Sequence, residues 1–299
     1  MILILGVNGF LGRQISKQMI DHNIQVVGLG TRELPAVSRL FDYIQADIND
    51  DCIPSILMNY KFDTIIDCIT YVAPNHESNC EKQITKSLLK YRYLLNEFYV
   101  HTKYIFISSG GTVYGNSKTQ LTECSPTNPI SAYGKQKLIQ ENMILDSCKK
   151  AYYILRLANP FGGDQTVVNG VGFVSKVIEC AENGEMLDLY VPSSTIRDYI
   201  FIEDVTQYIS DFYFNNYKSG IYNLSTGVGT SLADVIKKVE KIWDRSIKLN
   251  EFHTEPQDFV YVNLLANRKL KSETNREIRY SLDDGLNYMF NAHKGINYD

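Results

Sequence analysis

The chain has 299 residues, 44% of them hydrophobic, with a net charge of −4 and an isoelectric point near 5.8. That apolar content fills the core of one large domain or two small ones, and the acidic balance argues against a nucleic-acid or membrane-surface protein. Its six cysteines (52, 68, 80, 124, 148, 180) form no C-x-x-C, and its five histidines show no H-x-H or H-E-x-x-H, so the composition reads as reduced thiols in a cytoplasmic protein without a metal.

Met1 to Leu5 is an apolar run, too short for a signal peptide and without a cleavage site. Gly6-Val-Asn-Gly9-Phe-Leu-Gly12 follows, then a helical pattern. Alternating patterns predict strands at 2–5, 24–29, 43–46, 63–69, 103–108 and 152–157, and helices at 11–21, 53–60, 77–98 and 131–148. Such alternation implies right-handed crossovers and a parallel sheet covered on both faces. After about Phe161 the pattern loosens, with helices near 171–183, 231–242 and 281–291. Ser231 and Ser281 read as N-caps of the last two, each with an Asp three residues on. No run approaches the roughly 18 apolar residues of a membrane span.

Two segments carry chemistry. Strand, glycine-rich turn and helix at residues 2–21 let a backbone approach a pyrophosphate, which then sits on the helix N-terminus. The spacing is G-x-x-G-x-x-G, and no Gly-Lys-Ser/Thr follows, which excludes a nucleotide-hydrolase phosphate loop. Tyr133 and Lys137 stand four apart on one helix face, where an ammonium lowers the pKa of a phenol and tunes it for proton transfer. Taken alone, the glycines also suit a structural turn, and the Tyr/Lys pair a solvated helix face.

The glycines and the Tyr/Lys pair are joined in order by Asp47-Ile48, Ser108-Ser-Gly-Gly-Thr-Val-Tyr-Gly115, Arg156-Leu-Ala-Asn-Pro-Phe-Gly162, Arg197-Asp-Tyr-Ile-Phe-Ile-Glu-Asp204 and Tyr222-Asn-Leu-Ser-Thr-Gly227. Together they resemble the extended short-chain dehydrogenase/reductase superfamily, in its nucleotide-sugar epimerase, dehydratase and reductase branch. The resemblance implies a Rossmann-type, doubly wound parallel α/β sheet over residues 1–160, joined by part of 199–224. A smaller nucleotide-sugar-binding domain occupies mainly 161–299, with the site between the two. It makes Tyr133 the general acid/base and places Lys137 on the nicotinamide ribose. Gly6, Asn8, Gly9, Phe10, Leu11, Gly12 and Ser108 become dinucleotide contacts. Asp47 and Ile48 lie against the adenine in such proteins, although a short acidic turn reads equally well here.

Departures from the family pattern are informative. NAD-specific members end the second strand on an acidic residue; here Gly30 stands there, with Arg32 close by and Arg13 opening the first helix. A guanidinium in place of a carboxylate invites a 2′-phosphate, so NADP(H) is favoured over NAD(H). The family Ser/Thr three residues before Val-Tyr-Gly is Gly110, leaving Thr112, with Ser109 in reserve, to polarise the sugar oxygen. Asn159 and Arg197 match residues that hold the substrate diphosphate. A second family arginine is replaced by Glu255, ahead of Asp258, and Asp204 at a helix start reads as structural. Gly111-Thr112 in place of an Asp-Glu pair disfavours a dehydratase. Two enzyme readings remain: an NADPH-dependent reductase of a nucleotide-linked 4-keto-6-deoxyhexose, such as dTDP-4-dehydro-6-deoxyglucose, or a UDP-hexose 4-epimerase retaining NAD. A catalytically idle dinucleotide-binding regulator is the third reading, disfavoured by the intact Tyr/Lys pair. In this family, helices matching 77–98 and 131–148 pack across a homodimer.

Overall fold

The structure, a computed structural model, describes residues 1–33, 41–71, 81–165, 172–252 and 259–295. In chain order its elements begin with β1 (Ile2–Leu5), α1 (Phe10–Asp21), β2 (Val26–Gly30), β3 (Asp42–Gln45), α2 (Ile53–Leu57) and β4 (Thr64–Asp67). Next come α3 (Glu81–Leu94), which runs into a π-helical turn at Leu95–Tyr99, then β5 (Lys103–Ser109), α4 (Ala132–Ser147) and β6 (Tyr152–Leu157). The remainder comprises β7 (Asn159–Phe161), α5 (Phe173–Asn183), β8 (Met186–Leu189), β9 (Ile196–Phe201), α6 (Ile202–Phe214) and β10 (Gly220–Leu224). It closes with β11 (Gly229–Ser231), α7 (Leu232–Trp243), β12 (Lys248–Glu251), α8 (Arg268–Thr274) and α9 (Leu282–His293).

Seven strands form one sheet in the order β10-β6-β5-β4-β1-β2-β3. The β1–β2, β1–β4, β2–β3 and β4–β5 pairs are parallel. This is the doubly wound Rossmann order, reversing direction at β1 and β4, and ligands of such sheets bind beyond the strand C-termini at that reversal. Every residue of β1, β2 and β4 is buried, which is why their sequences run apolar rather than alternating.

The chain divides into two compact units. The first holds Met1–Ser109, Ala132–Arg156 and Thr206–Tyr222, and its core includes Leu3, Leu5, Val27, Ile65, Tyr91, Tyr104, Phe106 and Ile154. The second holds Gly110–Ser131, Leu157–Val205 and Asn223–Asp299, around Phe161, Val177, Phe201, Val235, Trp243 and Leu286. There α9 packs so closely that a Cβ on Gly285 would lie 2.6 Å from Phe161.

Several predicted boundaries move for visible reasons. The helix expected at 53–60 stops at Leu57, because the Asn59 amide donates to the carbonyls of Ser55 and Ile56 at 3.1 and 3.2 Å. The strand expected at 63–69 is only Thr64–Asp67, since the Asp67 carboxylate draws in the Ile69 N–H at 2.9 Å. Residues 77–80 and 171 of two predicted helices lie outside the described residues. Ser231 and Ser281 do cap α7 and α9, the latter as a full capping box with Asp284. Among the described residues no helix is long and apolar enough to cross a membrane, and no cluster of three or more His, Cys, Asp or Glu side chains could hold a metal.

Candidate active site

The β1–α1 turn is shaped for an anion. Gly6 takes φ +78°, in the left-handed region. A Cβ on Gly12 would meet the Gly6 carbonyl oxygen at 2.4 Å and Val7 Cα at 2.7 Å, so only glycine lets the helix start pack on the turn. Gly9 is the N-cap of α1 with no side-chain cap, and no acidic residue follows in the first turn. The first N–H groups and the positive end of the helix dipole are thus left for a phosphate. Phe10 and Leu11 are partly buried in that turn. These residues fit a dinucleotide.

At the end of β2 the structure adds detail that the sequence did not offer. Asn8 Oδ1 lies where a Cβ of residue 30 would stand, at 1.7 Å from it. The Tyr43 hydroxyl, from β3, sits 2.8 Å from both Asn8 Oδ1 and the Gly30 carbonyl, and close against the Arg32 carbonyl. Arg13 Nη1 donates to the Asn8 carbonyl at 2.7 Å. A neutral Asn–Tyr pair therefore fills the place of an acidic side chain. Burial raises the Tyr43 pKa, against the Asn8 hydrogen bond and the Arg32 charge, so the phenol stays neutral. Asp47 is exposed and accepts from the backbone and side chain of Asn49 at 2.8 Å, forming the acidic turn, while Ile48 is buried in the core.

Tyr133 and Lys137 share one face of α4. Lys137 is 2% exposed and its Nζ donates to the carbonyls of Ile69 and Ile107, both at 2.9 Å, over the Phe106 ring. Burial lowers its pKa to about 8, with the charges of Asp67 and Glu141 acting in the opposite direction. Tyr133 is partly buried, and Lys137 Nζ lies 6.0 Å from its ring. The expectation that Lys137 lowers the phenol pKa is corrected: desolvation raises it, and the lowering influences are hydrogen bonds with Ser109 and Thr70. Ser109, held in reserve by the sequence reading, is thus one of two hydroxyls found at Tyr133. Ser108 is 2% exposed and its hydroxyl is bound to Glu141, which also pairs with Arg156 at 2.7 Å.

In the second unit, Gly110 is buried, donating its N–H to Leu157 and accepting from Asn263. Thr112 Oγ1 is buried with no hydrogen-bond partner among the described residues. Asn159 pairs in register with Tyr199 across β7 and β9, and its amide donates to the Asp198 carbonyl at 3.0 Å. Arg197 is two residues along β9, on the same face as Tyr199. Its guanidinium lies 4.9 Å from the Phe259 ring, and burial lowers its pKa to about 10. Asp198 is fully buried and ties down the Thr226-Gly227 turn through contacts of 2.7 to 3.0 Å; burial lifts its pKa to about 6. Asp204 accepts from the backbone of Arg279 and Tyr280, a structural tie. Glu255 and Asp258 lie outside the described residues.

Sequence reasoning missed Tyr43, Thr70 and Asp67 as neighbours of these groups. The available signal was Asp67 itself, an acidic residue closing an otherwise apolar strand at the C-terminal edge of the sheet.

Comparison with known proteins agrees with this geometry. The model of the NAD dependent epimerase/dehydratase family matches residues 2–225. The chain is 26% identical to the dTDP-4-dehydro-6-deoxyglucose reductase of Escherichia coli, over 97% of this chain and 96% of that protein. It is also 26% identical to a putative UDP-glucose 4-epimerase of Methanocaldococcus jannaschii, over 82% and 86%. The fold matches that of the Thermotoga maritima UDP-glucose 4-epimerase, solved with UDP-glucose, with a TM-score of 0.85 at 22% identity, over 98% of both chains. It likewise matches the Thermus thermophilus UDP-glucose 4-epimerase in complex with NAD, at 0.82 and 20%, over 98% of this chain and 99% of that one. With that family model running through the glycine turn, the seven-strand sheet and the Tyr/Lys helix, the chain belongs to the NAD dependent epimerase/dehydratase family and is an enzyme of the extended short-chain dehydrogenase/reductase type.

Proposed function

We propose that this enzyme uses NADPH to reduce the C4 keto group of a nucleotide-linked 4-keto-6-deoxyhexose, of which dTDP-4-dehydro-6-deoxyglucose is the leading candidate. The observation that carries this reading is the end of β2. Gly30 is covered by a neutral Asn8–Tyr43 pair where the family pattern has a carboxylate, with Arg13 and Arg32 close by to meet a 2′-phosphate. Likeness to the E. coli reductase along nearly the whole chain supports it.

When bound, the reduced nicotinamide supplies the hydride that goes to the sugar C4. The chain supplies everything else. The glycine turn and the open α1 N-terminus hold the pyrophosphate. Tyr133, kept protonated at neutral pH by burial, gives its hydroxyl proton to the carbonyl oxygen, while Ser109 holds that hydroxyl in place. Lys137 has three N–H donors, two of them spent on the Ile69 and Ile107 carbonyls, and the third serves a nicotinamide ribose hydroxyl. Asn159 and Arg197 bind the substrate diphosphate, and Thr112 offers a hydroxyl to the sugar. The exposed Leu89 and Tyr93 on α3 and Ile139 and Leu145 on α4 form the apolar face of a homodimer, which sedimentation equilibrium tests.

A 4-epimerase is the second reading, favoured by the likeness to the M. jannaschii protein, because the same Tyr133 and Lys137 serve both reactions. The two are separated by one comparison. NADPH consumed mole for mole with the 4-keto-6-deoxy nucleotide sugar supports the reductase. Interconversion of UDP-glucose and UDP-galactose without added dinucleotide, and no net NADPH loss, overturns it.

A further inference from the structure

Asp67 closes β4 at the C-terminal edge of the sheet, is fully buried, and belongs to none of the roles assigned above. Its Oδ2 accepts from the Tyr104 hydroxyl at 2.8 Å, and that hydroxyl lies 3.2 Å from the Tyr91 hydroxyl. Its Oδ1 accepts from the Ile69 N–H at 2.9 Å, and Ile69 is the residue whose carbonyl receives Lys137 Nζ. Burial raises the Asp67 pKa, and the Lys137 charge and the hydrogen bonds from the Ile69 N–H and Tyr104 act against it, because a buried carboxylate, like a buried ammonium, is costly unless an opposite charge answers it.

Among the groups around Lys137, Asp67 acts most strongly to keep the ammonium charged. Tyr71, Tyr91, Tyr99 and Tyr104 all face Asp67 and are held in their neutral form by burial and by its charge. Cys68 is pushed well above the ordinary thiol range and stays protonated. Glu141 is already engaged by Arg156 and Ser108. We propose that Asp67 is a positioning residue for Lys137: its ionised carboxylate is the counter-charge that keeps the ammonium protonated, and its hold on Ile69 fixes one of the two carbonyls that aim it. This rests on the reading of Lys137 as a dinucleotide-binding residue.

The test follows the Lys137 ammonium directly, by NMR of enzyme labelled with ¹³C at lysine Cε, the resonance being assigned by its loss in Lys137→Met. In the wild type its titration midpoint should fall near 8. Asp67→Asn keeps the shape of the side chain, an acceptor for Ile69 and a partner for Tyr104, and thermal melting checks that it folds. It should move the midpoint down by about 1–3 pH units, the usual effect of a neighbouring opposite charge. Tyr104→Phe, which removes a hydrogen bond favouring the ionised carboxylate, should move it the same way by less. NADPH affinity of the Asp67→Asn enzyme should equal the wild type at low pH and fall away at correspondingly lower pH; a merely structural loss would weaken it at every pH. A midpoint unmoved in both variants overturns the proposal. Lys137→Met binding NADPH as tightly as wild type at all pH values would instead remove the dinucleotide role of Lys137, and the Asp67–Lys137 pairing would still be decided by the midpoint.

Discussion

Replacing Gly12 by alanine sets two effects against each other. Alanine in the first turns of a helix gains about 1 kcal/mol over glycine. The new methyl, however, would sit 2.4 Å from the Gly6 carbonyl oxygen, 2.7 Å from Val7 Cα and 3.0 Å from the Gly6 carbonyl carbon. A relaxed carbon–oxygen contact is about 3.3 Å or more, so the turn must give by nearly 1 Å. All three atoms are backbone, and no rotamer change relieves them. Overpacking of this kind costs about 1–3 kcal/mol, and with rigid neighbours the upper part of that range applies. The net loss is about 1–2 kcal/mol, a fall in melting temperature of about 2–8 °C. Gly9→Ala is the internal comparison: its Cβ meets only the Gly6 carbonyl, at 3.2 Å, and its φ of −74° suits any residue. There the weaker N-cap, up to about 1 kcal/mol, is offset by a similar gain from a less flexible unfolded chain. Melting by circular dichroism without dinucleotide should therefore separate the two variants, while NADPH titration should find both weakened. Gly12→Ala melting at or above the wild type would refute the close-approach argument.

Further outcomes follow from the same geometry. Tyr133→Phe should lower turnover by about 10²–10⁴ and leave NADPH affinity nearly intact, as steady-state kinetics beside binding titration will tell. Ser109→Ala removes a hydrogen bond that lowers the Tyr133 pKa, so the phenol's limb in the pH–rate profile should move to higher pH, and Thr112→Ala should leave that limb in place. Arg32→Ala should cost NADPH about 1.5–3 kcal/mol, or one to two decades of affinity, with NADH little changed; equal losses for both would detach Arg32 from the 2′-phosphate.

The first unit was largely legible because its signals are local. A doubly covered strand must be apolar throughout, and the turn at Gly6 and Gly12 admits no side chain, so residues 2–21 announce both the sheet and its dinucleotide cradle. Likewise Ser231 and Ser281 mark helix starts by chemistry contained within four residues. The short strands β7, β11 and β12 carry no such mark. Each is three or four residues long and exists because a partner distant in sequence offers hydrogen bonds, as Thr230 does opposite Arg197.

The candidate site divides along the same line. Tyr133 and Lys137 are readable because one helix turn brings them together. What surrounds them is assembled from separate strands, and spacing says nothing of it: Thr70 follows β4, Ser109 ends β5, and Tyr43 reaches Gly30 from β3. This is also why the pKa argument from the Y-x-x-x-K pair pointed the wrong way for Tyr133. Spacing reports which charges share a helix face, but not how much water the fold removes from them. For a phenol whose hydroxyl is desolvated, with the nearest ammonium already spent on two carbonyls, desolvation outweighs the charge. A proton donor for carbonyl reduction gains from that balance, since its hydroxyl must still hold its proton when the substrate arrives.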